Sequence, residues 1–373
     1  MLENFKNTLL QNYANSFGWH TKRKIVVFES DDWGSIRMPS KETYNYLLSK
    51  NIRVDLCPYC KYDTLESSED LELLFDLLKS FSDKNGNNAV ITSNVIVANP
   101  DFDKIKNENF NCYFYEPFTY TLKKKNSNDR TFALYEEGIS GGLFHPQFHG
   151  REHLNIQKWL NSLQTGNEVS LLAFENRLFC VSGRTSDSLT GEFTNAFASS
   201  NNEVVETYEE IIKDGLNIFN ELFHFYPDSF IAPGYSWGSE VERITSENGI
   251  KYLQGNCAQY NSDKKRSRYN YLGKKNDFEQ IYLIRNCFFE PSQNPSIDWV
   301  SSCLKDMHTS FLMHKPAIIS IHRLNLVGGI DMKRRDENLK LFSDLLREMV
   351  NRWPEIEFMT SDLLGEIIKD DRE

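Results

Sequence analysis

Three of the eight histidines in this chain, His145, His149 and His153, recur at four-residue intervals in the stretch Phe144-His145-Pro146-Gln147-Phe148-His149-Gly150-Arg151-Glu152-His153. Neutral imidazole is the commonest protein ligand for a borderline metal ion, and two rings at such a spacing can face one cation. A metal that does chemistry also needs a third ligand, usually a carboxylate, and one open position. The adjacent pair Asp31-Asp32 supplies the best carboxylates in the chain. Two neighbouring carboxylates cannot both ligate one ion and both act as bases, so one binds and the other takes a proton from water.

The elements around these residues are readable from their patterns. Lys24-Ile25-Val26-Val27-Phe28 is a short β-branched and aromatic run that delivers Glu29-Ser30-Asp31-Asp32-Trp33-Gly34-Ser35 onto a turn. Asn88 to Asn99, Gly138 to Phe148, Asp228 to Ala232, Lys251 to Gly255, Ile281 to Arg285, Ala317 to His322 and Ile356 to Met359 read as further strands. Between them, Glu66 to Phe81, His153 to Leu163, Glu203 to Phe223, Ser239 to Asn248, Ile297 to Met313, Arg334 to Val350 and Ser361 to Ile368 carry apolar residues at helical steps. Strands alternating with helices imply parallel βαβ units, and strand ends followed by turns are where such folds gather functional groups. We expect one α/β domain over 1–373, a barrel with irregular inserted loops. An amphipathic helix over 1–20 and loop insertions at 103–138, 176–200 and 258–278 complete the expected plan.

Composition narrows the function. With 53 acidic against 42 basic residues the net charge is -11, which repels a phosphate backbone and speaks against nucleic acid as partner. No run approaches the roughly 20 apolar residues of a membrane span. The opening residues lack the apolar centre and small-residue cleavage site of a signal peptide, so the expectation is a cytoplasmic protein. Seven cysteines over a long chain do not form a disulfide framework. Cys57-Pro58-Tyr59-Cys60 has redox-motif spacing but no preceding strand, and reads as a pair of reduced thiols in a loop.

Four segments taken together resemble the polysaccharide deacetylase family, whose members are carbohydrate esterases on a distorted (β/α)7 barrel. They are Asp31-Asp32-Trp33-Gly34-Ser35, His149-Gly150-Arg151-Glu152-His153 followed by Leu154-Asn155, Pro233-Gly234-Tyr235, and Ile318-Ile319-Ser320-Ile321-His322, in the family's order over roughly residues 24 to 325. The resemblance implies Asp31 as general base, Asp32 with His149 and His153 as ligands of a divalent metal, zinc foremost, and His322 as general acid. It also implies an acetylated amino sugar or glycan precursor as substrate and the Tyr235 N–H as oxyanion donor. Trp33, His145, Tyr235 and Trp237 are the expected substrate-binding side chains. The chain departs from the family at Ile231, where an arginine usually stands two residues before the proline. A partner for Asp31 must come from elsewhere, with Arg151, Arg285 and Arg323 as candidates.

Two other readings compete. His149-Gly150-Arg151-Glu152-His153 also fits the HxxEH pattern of inverted zinc peptidases, with Glu152 as base, although Gly150 and Pro146 disfavour the helix that motif requires. A non-catalytic carbohydrate-binding barrel is the other, motivated by Ile231.

Overall fold

The run beginning at Lys24 forms a strand buried on both faces: Ile25 and Val27 join one apolar cluster, Val26 and Phe28 another. Such double-sided burial is typical of a parallel strand covered by helices. The computed structural model describes residues 15–127, 129–181, 193–198, 202–260 and 266–372. Its strands are β1 (Lys24–Trp33), β2 (Ile91–Ile96), β3 (Ala98–Pro100), β4 (Tyr115–Pro117), β5 (Phe144–Gly150), β6 (Ser229–Phe230) and β7 (Tyr252–Gly255). They continue with β8 (Ala258–Tyr260), β9 (Arg266–Tyr269), β10 (Ile281–Ile284), β11 (Cys287–Phe288), β12 (Ala317–Ser320) and β13 (Ile356–Phe358).

The main sheet runs β10-β7-β6-β5-β2-β1-β12-β11, with β13 also on β1, and every pairing in it is parallel. Its two end strands are consecutive pieces of one extended segment, separated by Arg285 and Asn286. The Arg285 N–H donates to the carbonyl of Gly255, the last residue of β7, and the Asn286 N–H to that of Ile318 in β12, so this segment bridges both ends of the sheet. Taken as one interrupted stave, it closes a ring of seven strands: a distorted (β/α) barrel, as the alternation of elements predicted.

Helices cover the ring, and the longest, Asn202–Phe223, matches its expected span closely. Helix starts follow the capping chemistry of the sequence. Ser67 and Asp70 form a capping box ahead of the helix Ser68–Lys79, and Asp298, Asp331 and Asn155 cap three others. Among the described residues no helix is long and apolar enough to cross a membrane.

Three local readings change. Residues 103–138, expected as irregular, hold parts or all of the helices Phe102–Asn107, Phe118–Lys125 and Thr131–Ser140 and the strand β4, which pairs with β3. These helices are short and bury single faces such as Thr131, Leu134, Tyr135 and Gly138, too few turns for a visible period. Gly138 begins no strand: it lies in a helix pressed so close to Phe75 that an added Cβ would sit 2.6 Å from that ring, and β5 starts only at Phe144. Within 258–278, β8 and β9 form an antiparallel pair. Most of 1–20 and 176–200 lies outside the described residues.

Candidate metal centre

On a regular strand adjacent side chains point to opposite faces, so Asp31 and Asp32 could not both serve one site. β1 avoids this with a bulge. Its pairing to β2 passes from Ser30↔Ser93 to Trp33↔Val95, one extra residue on β1, and Asp32 takes a left-handed φ of 77°. Both carboxylates thereby line one cavity at the carboxyl end of the barrel. β5 carries a second bulge: Val95↔Phe148 is followed by Ile96↔Gly150, which leaves His149 as the extra residue. The chain then turns at Gly150, φ 122°, and brings His153 back beside His149, ring centroids 5.1 Å apart.

Asp32, His149 and His153 offer three ligand atoms within 4.8 Å of one another, all buried. Asp32 Oδ1 lies 3.6 Å from His149 Nε2 and 3.2 Å from His153 Nε2. Ligands about 2.0–2.2 Å from a tetrahedral ion stand about 3.3–3.6 Å apart, so this set fits a cation such as zinc. The His149 Nδ1–H donates to the Ile231 carbonyl at 2.8 Å, which leaves the Nε2 lone pair facing Asp32. Burial, with the Arg37 guanidinium, holds His153 well below the usual histidine pKa despite Asp32, so that ring is neutral as a ligand must be. Burial alone would raise Asp32, but the Arg37 guanidinium holds it well below the carboxylate range.

The buried carboxylates Glu29, Asp31, Asp32, Asp63, Glu66 and Glu290 are paired with Arg37, Arg285, Arg323 and His322.

Asp31 is held from behind. Arg285 donates to its Oδ1 from Nη2 at 2.6 Å and to its Oδ2 from Nη1 at 2.7 Å, while Arg285 Nε reaches Glu29 at 2.6 Å. Asn94 Nδ2 donates to Asp31 Oδ1 at 2.7 Å. Burial opposes ionisation here, yet Arg285 keeps the Asp31 pKa below its ordinary value. Across the cavity His322 Nε2 lies 3.7 Å from Asp31 Oδ2, and His322 Nδ1 donates to Glu290 Oε1 at 2.5 Å. Burial would lower the His322 pKa, but Glu290 pushes it up to about 9, so the ring is protonated at neutral pH.

The structure thus brings Asp31, Asp32, His149, His153, Tyr235 and His322 to one cavity of about 300 Å³. Other expected site residues lie elsewhere. Trp33 is fully buried, donates to Ser30 Oγ and packs edge-on against Phe144, so it is core and not a sugar platform. Trp237 is likewise buried and donates to Glu242. His145 sits at the opening of β5, paired with Asp362 at 3.1 Å and stacked on Phe225, and does not line the cavity. The Tyr235 N–H donates to the Ala232 carbonyl at 3.0 Å, so this turn commits the expected oxyanion donor, and the phenol instead accepts from Arg285. Glu152 is held by Arg151 at 2.7 Å outside the cavity and follows a strand end, not a helix, which removes the inverted-peptidase reading.

Sequence reasoning missed Arg37, Asn94 and Glu290. Asn94 and Glu290 follow strand patterns without a distinguishing signal, whereas Arg37, five residues after Asp32, was within reach of a search for cations near the aspartate pair. The thiols Cys57 and Cys60, expected in a loop, lie at the start of and within the short helix Pro58–Tyr62, and both line the cavity.

No family model matches the chain, and no curated protein matches it. Among solved structures it is similar to a protein from Pseudomonas aeruginosa PAO1 assigned as a polysaccharide deacetylase, with 10% identity, 96% of each chain covered and a TM-score of 0.49. One from Mycobacterium smegmatis with the same assignment shares 10% identity over 96% of this chain and 94% of that one, with a TM-score of 0.47. Puue allantoinase is similar as well, with 11% identity over 96% of this chain and 95% of that one and a TM-score of 0.46.

Proposed function

We propose that this chain is a metal-dependent hydrolase that removes an acetyl group, N-linked in the first instance, from an amino sugar or glycan precursor. The observation that carries this reading is the convergence of two imidazole nitrogens and a carboxylate oxygen beside Asp31 and His322. Asp32, His149 and His153 would hold a divalent cation, zinc by the donor set, which would supply Lewis acidity to polarise a carbonyl and acidify water.

Asp31 acts as the general base. Its Oδ1 is taken by Arg285 and Asn94, whereas Oδ2 has Arg285 on one side and faces the cavity on the other. That oxygen accepts the proton of the attacking water. The pairing with Arg285 lowers its basicity, so its contribution lies in position and constant ionisation more than in proton affinity. His322 gives its Nε2 proton to the departing amine, with Glu290 holding the ring through Nδ1. An environment that pushes Asp31 down and one that pushes His322 up support Asp31 as base and His322 as acid.

The non-catalytic barrel was motivated by Ile231, and Arg285 removes that motive by supplying the guanidinium from another strand. The test is acetate release from a panel of N- and O-acetylated glycosides by zinc-loaded protein. We expect turnover that Asp31→Asn abolishes while metal stays bound. Stoichiometric metal with no acetate released from any member of the panel would overturn the reading.

A further inference from the structure

One cation in the cavity has no place in the chemistry above. Arg37 lies on the wall that holds Asp32, with its side chain only 12% exposed. Its guanidinium carbon stands 5.6 Å from the Tyr59 ring centroid and 5.8 Å from that of Phe179, so two aromatic rings fix its position. Tyr59 in turn meets the His322 ring edge-on at 5.6 Å. The rigid fork is therefore presented beside the acid and the metal ligands.

Its hydrogen bonding is far from complete. Of five N–H donors, Nη2 reaches Asp32 Oδ1 at 3.2 Å, while Nε is buried without a hydrogen bond, in an ion-pair contact 3.6 Å from Asp63 Oδ2. Asp63 is itself shared with Arg323, which donates to its other oxygen at 3.0 Å. A cation held by Asp32, His149 and His153 would compete with Arg37 for the Asp32 carboxylate, leaving Asp63 as the guanidinium's remaining counter-charge. A planar fork with spare donors in a low-dielectric cavity suits a carboxylate or phosphate.

We propose that Arg37 is a specificity-determining residue that binds an anionic substituent of the substrate, so that the preferred substrate is an acidic acetylated sugar. This rests on the deacetylase reading and names its substrate class. Among the described residues, neutral Gln293, Thr194 and Tyr59 line the same cavity, and Arg37 is its guanidinium.

The experiment compares zinc-loaded protein on N-acetylglucosamine, N-acetylmuramic acid and N-acetylglucosamine 1-phosphate, reading both acetate release and binding heat. We expect kcat/KM and affinity at least about tenfold higher for one of the two anionic sugars than for the neutral one, the scale of a charge-assisted contact. The carboxylate and phosphate arms identify which anion is read. Arg37→Met collapses that ratio toward one, mainly through KM, and Arg37→Lys retains part of it. The ratio cancels any effect of either variant on metal binding that is common to all three sugars. Equal kcat/KM for neutral and anionic sugars in the unmodified protein, or an unchanged ratio in Arg37→Met, would overturn the proposal and leave the deacetylase reading intact. Absence of acetate release from all three, with anion-dependent binding retained, would count against deacetylation and in favour of the anion site. Absence of both would sink the two together.

Discussion

Arg285 and Asp31, 254 positions apart, form a two-pronged ion pair at 2.6 and 2.7 Å with both partners almost fully buried. This contact replaces one that the third motif lacks, since Ile231 offers only its carbonyl, to His149. A guanidinium reaches the same carboxylate from a stave two places further round the ring, where β10 gives way to β11.

Removing that guanidinium strands two carboxylates, Asp31 and Glu29, in the interior. Arg285→Met should therefore cost about 3–5 kcal/mol of stability, the usual penalty for breaking a buried pair from one side. Arg285→Lys keeps the charge but loses the fork and should fall between. Urea unfolding at neutral pH measures both. A loss under about 1 kcal/mol for Arg285→Met would show that solvent reaches the pair.

With its pKa pushed up to about 9, His322 as the proposed acid should set the alkaline side of the pH profile. Activity should fall about tenfold per pH unit above that value as the acid loses its proton. Glu290→Gln removes the charge responsible, and the alkaline limb should move toward the ordinary histidine value. The same shift contributes to stability: it is fully present below the unfolded-state pKa of 6.5 and lost as pH rises through about 9. Denaturation midpoints measured across that window should decline, and less so in Glu290→Gln.

Metal content separates ligands from base and acid. His149→Ala and His153→Ala should each lower bound zinc well below one ion per chain, while Asp31→Asn and His322→Asn keep it. Elemental analysis after gel filtration gives the answer. Full zinc occupancy in both histidine variants would move the metal elsewhere.

Rings that the linear motif placed beside the substrate should behave as core. Trp33→Ala should cost about 3–5 kcal/mol, as buried tryptophans do. Where His145→Ala folds, its KM should stay within about twofold of the unmodified value, because the ring packs on Phe225 and Asp362 away from the cavity. A large KM effect with unchanged stability would restore His145 to the site.

Much of the architecture was legible because it depends on local periodicity. β-branched runs such as Ile25 to Phe28 and amphipathic stretches such as Glu203 to Phe223 carry their secondary structure in side-chain alternation, and their order implies parallel crossovers. Asp32, His149 and His153 were legible as a group that could hold a metal because the donor types are few and metal coordination restricts which of them can combine. Tertiary structure alone decided the rest. Two bulges turn Asp32 and His149 toward one point against the two-residue period of their strands, and a bulge leaves no mark in composition. Ring closure selected Arg285 from the candidate arginines and added Asn94 and Glu290. It also buried Trp33 and Trp237, since proximity along the chain fixes which residues are neighbours but not which face of the barrel wall they share.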